Sequence, residues 1–252
     1  MDKLKLLMGR KIPFDKEHNL YVRQPLISEV VDMGETEFGE LVMPFILTTE
    51  SVFMGMKNEE ELVKQFDIFD LFFTQIEENV YMLDNVFGGK SALEVLKNSL
   101  SFFLDTDDIQ FLVNRKKAVI NGSFLLDEKG FAVLRKLVQG VSNRSDIEIE
   151  RPPANMTERQ KGIWEKLQKG RRRRAEKDAI YLQDLIAYTS FGGTSYIAFD
   201  QIDRMTYYQF QNTYKGVMSI DAFQIGMGYK LSEKFDVKDD VKHWTDSIRI
   251  GK

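Results

Sequence analysis

The chain has 252 residues, a net charge of −4, 43% hydrophobic and 29% charged residues, and no cysteine. That balance supports one large domain or two modest ones, and it excludes wholesale disorder, disulfides, thiolate metal sites and a surface that is basic throughout. No stretch approaches the roughly 20 apolar residues of a membrane helix, and the opening ten residues are too weakly apolar for a signal peptide, so the expectation is a soluble, intracellular protein.

Leu4-Lys5-Leu6, Lys11–Phe14 and Leu20–Arg23 alternate around the polar stretch Asp15–Asn19, which predicts a small N-terminal β-meander weakened at Pro13. From Pro25 the period becomes helical. Ile27, Val30, Val31, Phe38, Leu41 and Val42 predict a helix interrupted near Gly34 and stopped or kinked at Pro44. Asn58 before Glu59-Glu60-Glu61 reads as an N-cap with a capping-box variant. Behind it Leu62, Phe66, Phe69, Phe73 and Ile76 recur at steps of four, three, four and three, one continuous helical stripe. Ser91 and Glu94 form a capping-box pattern for a helix ending near Phe103. Phe111–Val113, Val119-Ile120 and Phe124–Leu126 surround the turn signal Asn121-Gly122, a second, central β-hairpin. Asp127–Val141 is helical, with Leu134, Leu137, Val138 and Val141 on one face.

Residues 142–156, with Arg151-Pro152-Pro153, read as a connector between an α+β half at 1–141 and a helical half at 157–252. Thr157–Gln160 opens a charged helix, and Tyr181–Tyr188 forms another. Phe191–Ser195 is a loop. A long helix is expected from about Asp200, with Tyr207, Phe210, Tyr214, Val217 and Met218 on one face. Val237, Val241, Trp244 and Ile248 predict a short last helix in which Trp244 is a stability residue. The fold class is α+β, mainly helical.

Asp84–Ser91 is the nearest approach to a catalytic motif. A phosphate-binding loop wants Gly-x-x-x-x-Gly-Lys-Ser, because backbone N–H groups must wrap the phosphates and the lysine must neutralise them. Gly89-Lys90-Ser91 fits, but Asp84 stands where the first glycine belongs and would aim a carboxylate at the nucleotide. His18 and His243 lack companions at zinc spacing, and Asp105, Asp107 and Asp108 lack the glycine and final glutamate of a calcium loop. Ser195 has no sequence sign of a base. No catalytic residue, cofactor or metal is expected. Arg171, Arg172, Arg173 and Arg174, with Lys169 and Lys177, form the sharpest charge feature. Four consecutive arginines encircle a helix, so a solvated face on which the arginines meet Glu165 and Glu176 at helical spacing, or a protein-docking patch, is preferred to nucleic acid on an acidic chain.

Three segments carry a family likeness: the opening hairpin leading to Val22–Glu35 and Phe38, the Gly-Lys-Ser helix with the central hairpin, and Met205-Thr206-Tyr207-Tyr208-Gln209-Phe210 with His243-Trp244. On these the sequence resembles the tail-assembly chaperone-like proteins of siphophages and prophages of Gram-positive bacteria. The resemblance implies a non-catalytic factor in the host cytoplasm that binds the tape-measure protein and recruits tail-tube subunits through apolar grooves. The residues marked out for partner docking are Arg171, Arg172, Arg173, Arg174, Tyr207, Phe210 and Tyr214. Self-association stays open. The alternatives are a nucleic-acid-binding accessory protein using the arginine run, and a structural tail or connector component.

Overall fold

In a computed structural model, which describes residues 2–78, 80–153, 155–192, 196–232, 234, 241 and 243–247, the first element is already a helix. Asp2 accepts N–H bonds from Leu4 and Lys5 at 3.1 and 3.2 Å, and this N-cap turns the Leu4–Leu6 alternation into α1 (Lys3–Leu7). The expected N-terminal meander is therefore a hairpin, β1 (Ile12–Asp15) against β2 (Leu20–Val22). Gly34, at φ +88°, separates α2 (Ile27–Met33) from α3 (Glu35–Ile46), and Pro44 is accommodated inside α3 rather than ending it.

After α4 (Thr49–Phe53), the single stripe expected from Leu62 to Ile76 divides into three elements. They are α5 (Glu59–Gln65), α6 (Ile68–Leu71) and strand β3 (Gln75–Glu77), which pairs with β4 (Val80–Tyr81). Phe66 is extended and Asp67 starts a new cap by accepting the Phe69 N–H at 2.7 Å, so the period restarts there. Asn58 precedes α5 without a side-chain cap bond, and Glu59 instead accepts the Gly55 N–H.

Helix α7 (Ala92–Leu104) leads into the sheet β5 (Ile109–Leu112), β6 (Lys117–Ile120) and β7 (Phe124–Leu126), all antiparallel. Asn121 and Gly122 both take positive φ in the β6–β7 turn, as the hairpin signal requires. Helix α8 (Glu128–Val141) buries Phe131, Leu134, Val138 and Val141. The Phe131 ring stacks on Phe45 and Phe69, with centroids 5.7 and 4.7 Å away, and meets Phe72 edge-on at 6.3 Å. Helix makes up 57% of the described residues, and the strands among them form small antiparallel sheets, a mainly helical α+β fold.

Among the described residues from 142 to 157 there is no regular element, but the segment is tied down. The Ile147 N–H reaches the Ile46 carbonyl at 3.0 Å, Asp146 pairs with Arg135, and Arg151 pairs with Glu59 at 2.8 Å. Beyond it come α9 (Glu158–Lys177), opened by a Thr157/Gln160 capping box, and α10 (Leu182–Phe191). The long helix expected from Asp200 is two, α11 (Phe199–Asp203) and α12 (Tyr207–Leu231), because Thr206 and Gln209 build a fresh capping box.

The start of α12 is stitched to the beginning of the chain. Tyr207 N–H bonds the Pro25 carbonyl at 2.7 Å and Ile27 N–H bonds the Met205 carbonyl at 2.9 Å. Gln24, only 7% exposed, donates to the carbonyls of Lys5 and Arg10 and accepts from the Thr206 hydroxyl. Gln209 donates to the Leu7 carbonyl at 2.8 Å. Leu182, Ile202, Tyr207, Tyr208 and Phe210 join the same buried cluster as the N-terminal helices.

Helix α13 (Trp244–Ser247) lies against α12. His243 meets Phe223 at 4.9 Å and Trp244 at 5.4 Å, while Val237 and Ile248 lie outside the described residues. Trp244 is only half-buried. Trp244→Ala should therefore cost about 1–2 kcal/mol rather than the ~3–5 kcal/mol of a core tryptophan. A thermal melt showing the full core-sized loss would contradict this placement.

Candidate functional site

The loop between β4 and α7 commits the side chains of its phosphate-loop-like motif to protein partners. One Asp84 carboxylate oxygen accepts the Tyr81 N–H at 2.8 Å and the other accepts the Ala92 N–H at 2.7 Å. A carboxylate therefore already sits at the start of α7, the end that attracts anions. Ser91 accepts the Glu94 N–H at 3.4 Å without the reciprocal bond that the capping-box pattern predicts. Lys90 reaches across to Glu40 at 2.6 Å.

This loop forms one wall of a groove whose other walls are α3 and the first turns of α7. An open cleft of about 940 Å³, with Glu37, Glu40 and Glu94 on its rim, runs into a pocket of about 480 Å³ lined by Met43, Ile46, Val86 and Phe87. Lys90 neutralises Glu40, whereas Glu37 and Glu94 form no ion pair among the described residues. From Gln24 to Met56 the chain has six carboxylates and no basic residue. The result is a polar, acid-rimmed cleft opening into a smaller apolar pocket whose charged lining residues, Glu40 and Lys90, pair with each other.

The histidines have local structural partners. His18 Nδ1 lies 2.9 Å from Asp15, and its ring meets Phe124 edge-on at 5.3 Å. Hydrogen bonds from the His18 backbone and ring hold the Asp15 carboxyl below its usual pKa. Asp105 takes the left-handed conformation after α7, and the Lys11 ammonium bonded to it at 3.1 Å lowers its pKa. No group of three or more metal-ligating side chains occurs among the described residues, nor is any helix there long and apolar enough to cross a membrane.

Of the aromatic residues marked for docking, Phe210 is fully buried and Tyr207 is 7% exposed, so both are core residues closed to a partner. Tyr207 packs on Phe38 with centroids 5.0 Å apart. Tyr214 is half-buried against Tyr188 at 5.9 Å. The Tyr188 hydroxyl donates to Asp221 at 2.8 Å, and this bond, with burial adding to it, pushes its pKa up to about 12. The donating neutral phenol thus ties α10 to α12 at physiological pH, and the tie is lost only as pH rises through that value.

Among the arginines, Arg171 pairs with Glu150 of the connector at 3.1 Å, Arg173 and Arg174 are exposed, and the Arg172 and Glu176 side chains lie outside what the structure describes. No described side chain of α9 is buried. Trp164 is half-buried, while Ile163 and Leu167, one turn apart, are 51% and 58% exposed.

The surface that sequence reasoning missed is the far part of α12. From Gln211 to Leu231 no residue is buried. Met218, Ala222, Ile225 and Tyr229 recur at steps of four, three and four, and all four are exposed. That spacing is the seam of a helix-on-helix contact. The signal was present in the sequence as a continuation of the Tyr214–Met218 face, but the sequence does not show where the core stops covering it. Compared with known protein families, with characterised proteins and with solved structures, the chain matches none.

Proposed function

We propose that the protein is a non-catalytic tail-assembly factor of a siphophage or prophage, working in the host cytoplasm, that holds a helical segment of the tape-measure protein and brings tail-tube subunits to it. One observation carries the reading: the exposed Met218–Ala222–Ile225–Tyr229 seam on α12, which extends beyond the core with the period a partner helix needs. Methionine and tyrosine suit such a task, the first by adapting to varied apolar surfaces and the second by adding a polar tip to a large contact area. The sequence resemblance supplies the identity of the client. Lys90, Ser91 and Asp84 being held by protein groups supports the non-catalytic part of the reading.

The test is co-purification with helical fragments of the tape-measure protein and with the tail-tube subunit encoded in the same genome. Met218→Asp with Ile225→Asp should lower tape-measure affinity at least tenfold, because each places a charge in the dry seam, while the melting curve stays where it was. Wild-type levels of capture by that variant would remove α12 from the interface. Failure of the wild-type chain to hold either tail protein would remove the function.

A further inference from the structure

Helix α9 and the α3–α7 groove are chemically matched, and their own chain does not bring them together. Between Glu158 and Lys177 there are nine basic and three acidic residues, a surplus of six on a chain of net charge −4, which leaves −10 for everything else. The body is acidic and α9 is its counter-charge. The helix is also not uniformly polar. Ile163 and Leu167 make a small exposed apolar knob, and at helical spacing Arg159, Lys166, Arg174 and Lys177 fall within about 60° of Ile163. The arginine run itself encircles the helix, but the face centred on Ile163 carries the apolar pair with basic residues along one side and beyond both of its ends.

The groove has the complementary layout. Met43, Ile46, Val86 and Phe87 line its inner apolar pocket, and Glu37 and Glu94 line the adjoining outer cleft without ion-pair partners among the described residues. Within one chain α9 is held elsewhere: Arg171 is engaged by Glu150, next to Arg151, which is anchored on Glu59. We propose that the occupant of the groove is α9 of a second copy of this chain, with Ile163 and Leu167 at the inner apolar pocket and the flanking basic residues against Glu37 and Glu94. This contact is separate from the α12 seam and does not depend on the tail-protein reading. It joins two different surfaces, so it closes into a dimer when the two exchanges are reciprocal and otherwise extends as a chain of subunits. Nucleic acid is the rival partner for α9, and it is disfavoured because a polyanion lying along α9 would face an acidic body.

Sedimentation analysis of the full chain tests this. The wild type should form concentration-dependent dimers or larger species below about 100 µM, and raising the salt from low to high should weaken them, since rim charges are screened. Ile163→Ser with Leu167→Ser should give a monomer with an unchanged circular dichroism melt. Glu37→Lys with Glu94→Lys should do the same from the other side. Mixing that groove variant with one carrying Arg174→Glu and Lys166→Glu should restore association, which a nonspecific charge effect would not do. A wild-type monomer throughout the range overturns the proposal, as does association that both sets of variants leave intact. A salt-sensitive gel shift with DNA or RNA at physiological ionic strength, abolished by reversing the α9 charges, would assign α9 to nucleic acid instead. A monomer that still captures tape-measure protein retires only this inference, and a self-associating chain that captures no tail protein retires only the proposed function.

Discussion

Phe131→Ala is expected to remove about 3–5 kcal/mol of stability, a large part of the ~5–15 kcal/mol that folded domains possess. Phe131 is 1% exposed and is the ring that α3, α6 and α8 share, since Phe45, Phe69 and Phe72 all pack on it. Truncation would leave a cavity that three separately anchored elements would have to move together to fill. For a chain of this length the loss should lower the melting temperature by roughly 6–20 °C. Phe131→Leu keeps most of the volume and should cost less than half as much. Urea melts of the two variants decide the matter, and equal, small losses would mean that the aromatic cluster is not the centre of the core.

A second large effect is expected at Arg135. The final carbonyls of α3 have no partners within their own helix, and α8 supplies them from across the core. Arg135 Nε donates to the Phe45 carbonyl at 2.9 Å, and its terminal nitrogen reaches both the Leu47 carbonyl and Asp146. Gln139 adds a second bond to the Phe45 carbonyl at 2.7 Å. The Arg135 side chain is only 16% exposed, so its loss strands the buried Leu47 carbonyl and leaves the Phe45 carbonyl to Gln139 alone. Arg135→Ala should cost about 2–4 kcal/mol and raise hydrogen exchange in residues 142–150, where Asp146 would keep only its bond from Gln139. Arg135→Lys should recover less than half of this, because an ammonium cannot reproduce a planar fork aimed at two carbonyls. Full recovery by lysine would show that charge alone, rather than fork geometry, holds the end of α3.

Local chemistry was legible wherever it was decided locally. The Gly34 break, the Asn121-Gly122 turn, the Thr157 cap and the buried face of α8 all followed from residues within one or two turns of each other. Where element boundaries depart from the sequence pattern, the cause is a cap that outweighs a periodicity. Asp2 makes α1 out of an alternating stretch, Asp67 interrupts the Leu62–Ile76 stripe, and Thr206 divides the expected long helix. Tyr207 and Phe210 were misplaced for another reason. A stripe reveals that a face is apolar, but its cover comes from Phe38 and the chain beginning, far away in sequence. The Arg135 bonds span about ninety positions and leave no local signature at all. The groove was equally hidden, since its acidic and apolar walls come from helices that only tertiary packing makes neighbours.

The polar stitch between Gln24 and Thr206 also sets a schedule for biosynthesis. Its partners are separated by 182 positions, so the hairpin and α1 can form as they leave the ribosome but cannot lock until Thr206 and Gln209 have emerged. At about 5–20 residues per second that interval is roughly 9–36 s. Throughout it the apolar face of α2 and the Phe38 ring, later covered by Tyr207, stay open to solvent and to other nascent chains. The start of α12 thus acts as a latch that ends the period in which a growing chain is most prone to aggregate.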